Sequence, residues 1–211
     1  MAKQARAHAT RELIVLAAGV VFAEKAYAQA TLGDVLREAG VTQGALYFHF
    51  ESKKALALEV IERQHHLFIE TGNDLLGKKI QGLSAMIILS RDLAMQITTN
   101  PLVRAGLRLS TESADLFAES ARRPYEDWID TCEALIKRAV AEGDVSSAHE
   151  PARLAAYVIA SFTGVQSLSQ ARTKWVDILD RLEEMWHFLL AGISPADGGS
   201  NVPDISLLLR R

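Results

Sequence analysis

The sequence holds a single cysteine, Cys132, so no intrachain disulfide can form and the cytoplasm is the compartment to expect. Five prolines in 211 residues leave room for long helices, and with little β-branched alternation an all-α fold is favoured. The longest apolar stretch, Leu13 to Phe22, is too short and interrupted to cross a bilayer, and no membrane partner is expected. Met1 to Thr10 is polar and lacks the apolar core of a secretion signal. His65 and His66 diverge on a helix with no cysteine near them, so neither a metal nor a cofactor is expected. No phosphate-binding loop and no paired nucleophile and base are present, which argues against an enzyme.

What is present is a core and an asymmetry of charge. Hydrophobic residues make up 49% of the chain and charged residues 23%, which fits a globular protein. The formal net charge of −3 divides into +2 over residues 1–55 and −5 over the rest. A basic head on an acidic body suits a polyanion contact at one end.

Apolar spacing predicts a first helix over about 8–25, with Leu13, Leu16, Ala17, Val20 and Val21 on one face. Thr31 and Asp34 form a capping box before Leu32, Val35, Leu36 and Ala39, and Gly40 is a natural stop. Thr42 caps a third, short helix through Tyr47, and Ser52 caps a fourth to about Leu76. Further helices are expected over 83–98, 101–110, 124–141, 151–171 and 174–191, with a loop or frayed turn over 111–123. The tail after Pro195 is expected to be weakly ordered, with an apolar end able to dock. The implied domains are 1–52, 53–195 and the tail 196–211.

Thr31 to Tyr47 has the layout of a helix-turn-helix: a short helix, a tight turn at Gly40-Val41, and a second short helix able to enter a DNA major groove. Spacing alone leaves a merely packing αα-hairpin open. The residues themselves are more specific. Thr31-Leu-Gly-Asp-Val-Leu-Arg-Glu-Ala-Gly-Val-Thr-Gln-Gly-Ala-Leu-Tyr-Phe-His-Phe-Glu-Ser-Lys-Lys-Ala-Leu56 resembles the signature of tetracycline-repressor-type regulators. Gly44 to Phe50, Arg104 to Ser110 and Tyr125-Glu-Asp-Trp128 are similar to the γ-butyrolactone receptor branch, whose members are repressors released from DNA by a diffusible lactone.

The resemblance implies an all-α protein with an N-terminal three-helix DNA-binding domain and a larger helical domain for ligand binding and dimerisation. It implies a palindromic DNA operator, a lactone or butenolide inducer and a homodimer as partners, and control of secondary-metabolite genes. Gln43 and Gly44 would face the bases, and Thr31, Thr42, Tyr47, His49 and Lys53 the phosphates. Lys3 and Arg6 would lie in an N-terminal arm on the DNA. Phe48 and Phe50 are read as core. Relatives often carry lysine where this chain has Gln43, and glutamine can pair bidentately with adenine, so the operator sequence or its affinity is expected to differ from the branch's usual one.

For the ligand, Trp128 offers a flat apolar face, and Gln64 and Thr163 are polar residues within apolar helix patterns. The dimer is assigned to two stripes: Leu154, Val158, Phe162, Val165 and Leu168, then Ile178, Leu182, Met185, Trp186 and Leu189. Part of each stripe is expected in the monomer core. The alternatives are a regulator of the same fold that answers antibiotics or no ligand, and a lactone-acting enzyme. The latter would need a serine beside a histidine, and neither Ser161 nor Ser167 has one in its sequence setting.

Overall fold

The computed structural model describes residues 2–112, 114–195 and 203–210, apart from the side chains of residues 2, 3, 112, 114, 115 and 118–121. Helices α1 (Ala2–Glu24), α2 (Leu32–Ala39), α3 (Gln43–His49), α4 (Lys53–Gly77) and α5 (Gly82–Thr99) are followed by α6 (Pro101–Glu112) and α7 (Ala114–Glu142). Helices α8 (Pro151–Thr173), α9 (Ile178–Ile193) and α10 (Ile205–Arg210) complete the order, with no strand among the described residues. They sort into two compact units, residues 1–67 with 99–124 and residues 68–98 with 125–211. Helix α1 packs against α6 as well as α2 and α3, which joins residues 99–124 to the first unit.

In the first unit, α1 buries Ile14, Val15, Ala17, Ala18, Val21 and Phe22, while Leu13 and Leu16 are exposed. The expected stripe is real but turned by one residue. Apolar side chains occupy most of the circumference over 13–22, so periodicity does not fix the phase; packing does. A Cβ at Gly19 would lie 2.9 Å from the Leu102 Cα, so α1 meets α6 nearly backbone to backbone along this side. Each fully buried Ile, Val or Phe contributes about 1.5–3 kcal/mol. Helix α1 also begins at Ala2, so Arg6 is an exposed helical residue and not part of an extended arm. The side chain of Lys3 lies outside the described residues.

The loop expected over 111–123 is instead mostly helical, within α6 and α7. Phe117 takes non-helical angles (φ −125°, ψ 21°), and its ring is buried edge-on against Tyr27 at 5.2 Å. That one buried aromatic anchors a segment whose small, charged composition otherwise reads as loop. Pro124 sits inside α7 rather than starting it, so α7 does without one backbone hydrogen bond there.

In the second unit, a Cβ at Gly82 would come within 2.5 Å of both Leu135 O and Ala139 N, so α5 starts directly on the backbone of α7. Arg138 donates to Leu76 O at 2.7 Å and closes the carbonyl end of α4. Between α8 and α9, Lys174 and Trp175 both have positive φ. Asp177 holds this turn, accepting from Ser169 Oγ (2.7 Å), Thr173 Oγ1 (2.6 Å) and Arg181 Nε (2.8 Å). Those bonds, Arg181's foremost, hold its carboxyl well below the usual carboxylate range. A lowered folded-state pKa gives stability that is complete above the unfolded value of about 3.9 and fades as pH falls below it. The destabilisation in Asp177→Asn is therefore expected to be full at neutral pH and to shrink on acidification, as read from urea midpoints at the two pH values.

The assigned dimer stripes prove to be mainly interior. Leu154, Val158 and Phe162 of α8 and Ile178, Leu182, Trp186 and Leu189 of α9 are buried within one copy, and Trp186 Nε1 donates to Ser90 Oγ at 2.9 Å. Large apolar side chains exposed on these two helices include Tyr157 (62%) and Leu168 (47%) of α8 and Phe188 (82%) of α9. The end of the tail is ordered as α10. Ile205 and Leu209 are buried, Arg91 donates to Leu208 O (2.9 Å), and Arg210 pairs with Asp180 (3.0 Å) and Glu183 (2.9 Å). Residues 196–202 lie outside the described residues.

Candidate nucleic-acid interface and interior cavity

Helix α2 is fixed at both ends by local chemistry. Asp34 N donates to Thr31 Oγ1 (3.1 Å) while Thr31 N donates back to Asp34 Oδ2 (3.0 Å), completing the capping box. Lys25 binds the other carboxylate oxygen at 2.9 Å. Lys25, and then Thr31, hold the Asp34 carboxyl well below the usual carboxylate range. Gly40 ends the helix in the left-handed region (φ 62°), where a Cβ would be strained. Thr42 then caps α3 through Ala45 N (3.3 Å).

Val35 of α2 and Leu46 of α3 are fully buried, and Phe50 is 5% exposed. They hold α3 on the core by one face. Gln43, Gly44, Tyr47 and Phe48 are all exposed, Gly44 and Phe48 on the side opposite Leu46. Thr31 and Thr42 are also exposed at the two caps, and His49 is half-buried beside the Phe48 ring at 4.9 Å. A Cβ at Gly44 would meet nothing within 4 Å, so the fold itself does not require glycine there. Phe48 corrects the core reading: it is 77% exposed. The signal was available, since a helix advances about 100° per residue and Phe48 stands about 200° from Leu46.

Lys53 also has a role within the fold. Its ammonium donates to Tyr27 O (2.8 Å) and Ala30 O (2.9 Å) and lies 4.3 Å from the Tyr27 ring centroid. Two of its three N–H donors are thus spent on the turn that follows α1, leaving one for a phosphate. Lys53→Ala is expected to lower unfolding stability by about 1.5–3 kcal/mol, the range for hydrogen bonds from a charged donor, even without DNA. Chemical denaturation of the free protein measures it.

The second unit contains a small apolar cavity of about 30 Å³. Phe68, Leu93, Trp128, Ile159, Phe162 and Thr163 are among its walls. Trp128 packs against Phe68 (5.4 Å between centroids) and edge-on against Tyr125 (4.9 Å). Burial pushes the Tyr125 phenol up, against the lowering effect of a hydrogen bond with Thr163. Thr163 Oγ1 also donates to Ile159 O at 2.9 Å. The cavity thus unites Trp128 with Thr163, two of the three residues expected at a ligand site. Gln64 is not brought there. It belongs to the first unit, is 1% exposed, and packs its aliphatic stem against Gly106. Gln166, which sequence reasoning missed, lines the cavity instead. It stands three residues after Thr163, on the same face of α8.

Cys132 is 3% exposed, and burial pushes its thiol up to about 12. It is therefore expected to react with a thiol-specific disulfide reagent only after denaturant is added; rapid modification of the native protein would show that its helix opens. Among the described residues there is no group of three metal-ligating side chains, and no helix is long and apolar enough to cross a membrane.

Residues 14–60 match the family of bacterial regulatory proteins named tetR, and residues 80–195 match the tetracyclin repressor-like C-terminal domain. The A-factor receptor protein of Streptomyces griseus is 35% identical over 196 residues, covering 92% of this chain and 67% of that protein. The crystal structure of a γ-butyrolactone receptor, an ArpA-like protein, superposes with a TM-score of 0.80 at 31% identity, over 97% of each chain. CprB of Streptomyces coelicolor, solved with its biological operator sequence, superposes with a TM-score of 0.77 at 30% identity, over 97% of this chain and 95% of that one. The exposed face of α3 on a capped helix-turn-helix, the aromatic cavity in the helical body and these matches agree: the chain belongs to the tetR family of bacterial regulatory proteins, and its full-length likeness is to γ-butyrolactone receptors.

Proposed function

We propose that the protein is a transcriptional repressor that binds a palindromic DNA operator as a homodimer and leaves it when a small lactone fills the Trp128 cavity. The observation that carries this reading is the face of α3: Gln43, Gly44, Tyr47 and Phe48 are exposed together on a helix anchored from behind by Leu46. Gln43 and Gly44 lie in the first turn, where a recognition helix meets base edges. Tyr47 and the cap hydroxyls of Thr31 and Thr42 serve phosphates, and Phe48 suits a thymine methyl. His49 and the exposed Arg6 are further phosphate contacts, and Lys3 is proposed with Arg6. A palindrome requires two heads about 34–36 Å apart or a multiple of that, so a second copy is required, seated on the Tyr157 and Phe188 face. Such a regulator acts in the cytoplasm, performs no chemistry and needs no cofactor.

The apolar walls of the cavity and its few polar groups, Thr163 and Gln166, suit the chemistry of a small ring with an aliphatic substituent, and at about 30 Å³ the cavity must widen to admit one. Gln64 is assigned no part in it. The test is titration of the protein onto the operator used by CprB and onto sites selected from random DNA, followed by addition of γ-butyrolactones. Sequence-selective binding that a lactone reverses supports the reading. Binding that antibiotics reverse and lactones do not would assign the cavity to another ligand class. Gln43→Ala is expected to weaken the selected site by about 1–3 kcal/mol and to relax one base position, measured by repeating the selection with the variant.

A further inference from the structure

Three spaces in the second unit share walls in sequence. The Trp128 cavity and a second cavity of about 30 Å³ have Leu89, Leu93, Ile159 and Phe162 in common. The second continues to Met86, Cys132, Met185 and Trp186. Its one hydroxyl, that of Ser90, is already engaged by Ile87 O (2.7 Å) and Trp186 Nε1 (2.9 Å), so the space suits hydrocarbon alone. Beyond lies an open groove of about 700 Å³ between α8 and α9, flanked by the exposed rings of Tyr157 and Phe188. Met185 lines both the second cavity and the groove.

We propose that Met185 is a movable wall: an aliphatic chain entering the second cavity pushes its thioether into the α8/α9 groove and so changes how two copies associate. This rests on the lactone and dimer reading above and adds the route by which the ligand acts. The second cavity has room for about two waters, so a chain of several methylenes must displace a side chain. Trp186 is fully buried and pinned by its hydrogen bond to Ser90. Ile159 is β-branched and Phe162 is a rigid ring, so neither yields readily. Met86 is 3% exposed and does not line the groove. Met185 is unbranched, rotates about three bonds, is only partly buried, and has the groove to move into. The same movement alters the surface on which the second copy sits, so ligand and partner are coupled through one side chain.

The test uses the full chain carrying ¹³C at the methyls of its four methionines. The probes are unsubstituted γ-butyrolactone and a γ-butyrolactone bearing a straight acyl chain. The Met185 resonance is assigned with Met185→Leu. The acylated probe is expected to shift that resonance and to change the dimer dissociation constant by about 5–150-fold, whereas the bare ring does neither. In Met185→Ala the acylated probe should still alter tryptophan emission but leave the dimer constant unchanged. If this variant does not fold, the wild-type Met185 resonance decides. A resonance that stays fixed, or an equal change in dimer constant in Met185→Ala, while emission reports acyl-lactone binding, overturns the proposal and leaves the ligand reading standing. No emission response and no operator release with either lactone overturns both.

Discussion

Phe188→Asp is expected to leave each copy folded, to shift the protein to monomer, and to weaken operator binding by about 10²–10⁴-fold, the gain available from joining two binding heads. Phe188 is 82% exposed and stands over the groove between α8 and α9, so its replacement removes nothing from the monomer core. In a dimer seated on this face the ring is covered, and a carboxylate there would be desolvated without a partner. Sedimentation gives the association state, and operator titration gives the affinity. Leu182→Asp, made in the core of the same helix, should instead unfold the unit, since Leu182 is fully buried. A Phe188→Asp protein that remains a dimer would move the interface off α8 and α9.

Trp128→Ala is expected to bind the operator as the wild type does while the lactone needed for release rises by about 100-fold, a loss of roughly 2.7 kcal/mol. Driving a dimer from 1:99 to 99:1 requires about 5.5 kcal/mol of differential ligand binding. A small lactone has few polar groups, so most of that must come from taking its ring and substituent out of water against apolar walls. Trp128 is the largest side chain lining the cavity and packs against Phe68 and Tyr125. Trp128→Phe keeps an aromatic face and is expected to retain an intermediate response, which separates loss of ligand contact from loss of packing. Release by the Ala variant at the wild-type lactone concentration would place the inducer elsewhere.

The helix-turn-helix was legible because its determinants are local. A capping box spans four residues, a left-handed glycine acts through its own φ, and a cap hydroxyl reaches three residues on, so Thr31, Asp34, Gly40 and Thr42 do in the fold what their order implies. Resemblance points to Trp128, and a polar residue within an apolar helix pattern points to Thr163 and Gln64 alike, of which only Thr163 lines the cavity with Trp128. That pattern says a residue is buried; it does not say beside what. Core packing is the expectation for Phe48, yet its angular distance from Leu46 points outward and the ring is 77% exposed.

Sequence alone determined the helical class, the turn and caps of the DNA-binding hairpin, and the family. Each depends on periodicity or on atoms within about one helical turn of one another. Tertiary structure decided the rest. It set the phase of α1, through the approach of Gly19 to Leu102, and the ordering of 114–123, through the Phe117 ring on Tyr27. It committed two donors of Lys53 to carbonyls more than twenty residues away. It placed most of the α8 and α9 stripes in the core, burying Trp186 and leaving Phe188, outside the stripe, exposed. In a helix apolar on most of its circumference, several faces satisfy the same hydrophobic pattern. The choice among them falls to close packing with chain that is distant in sequence.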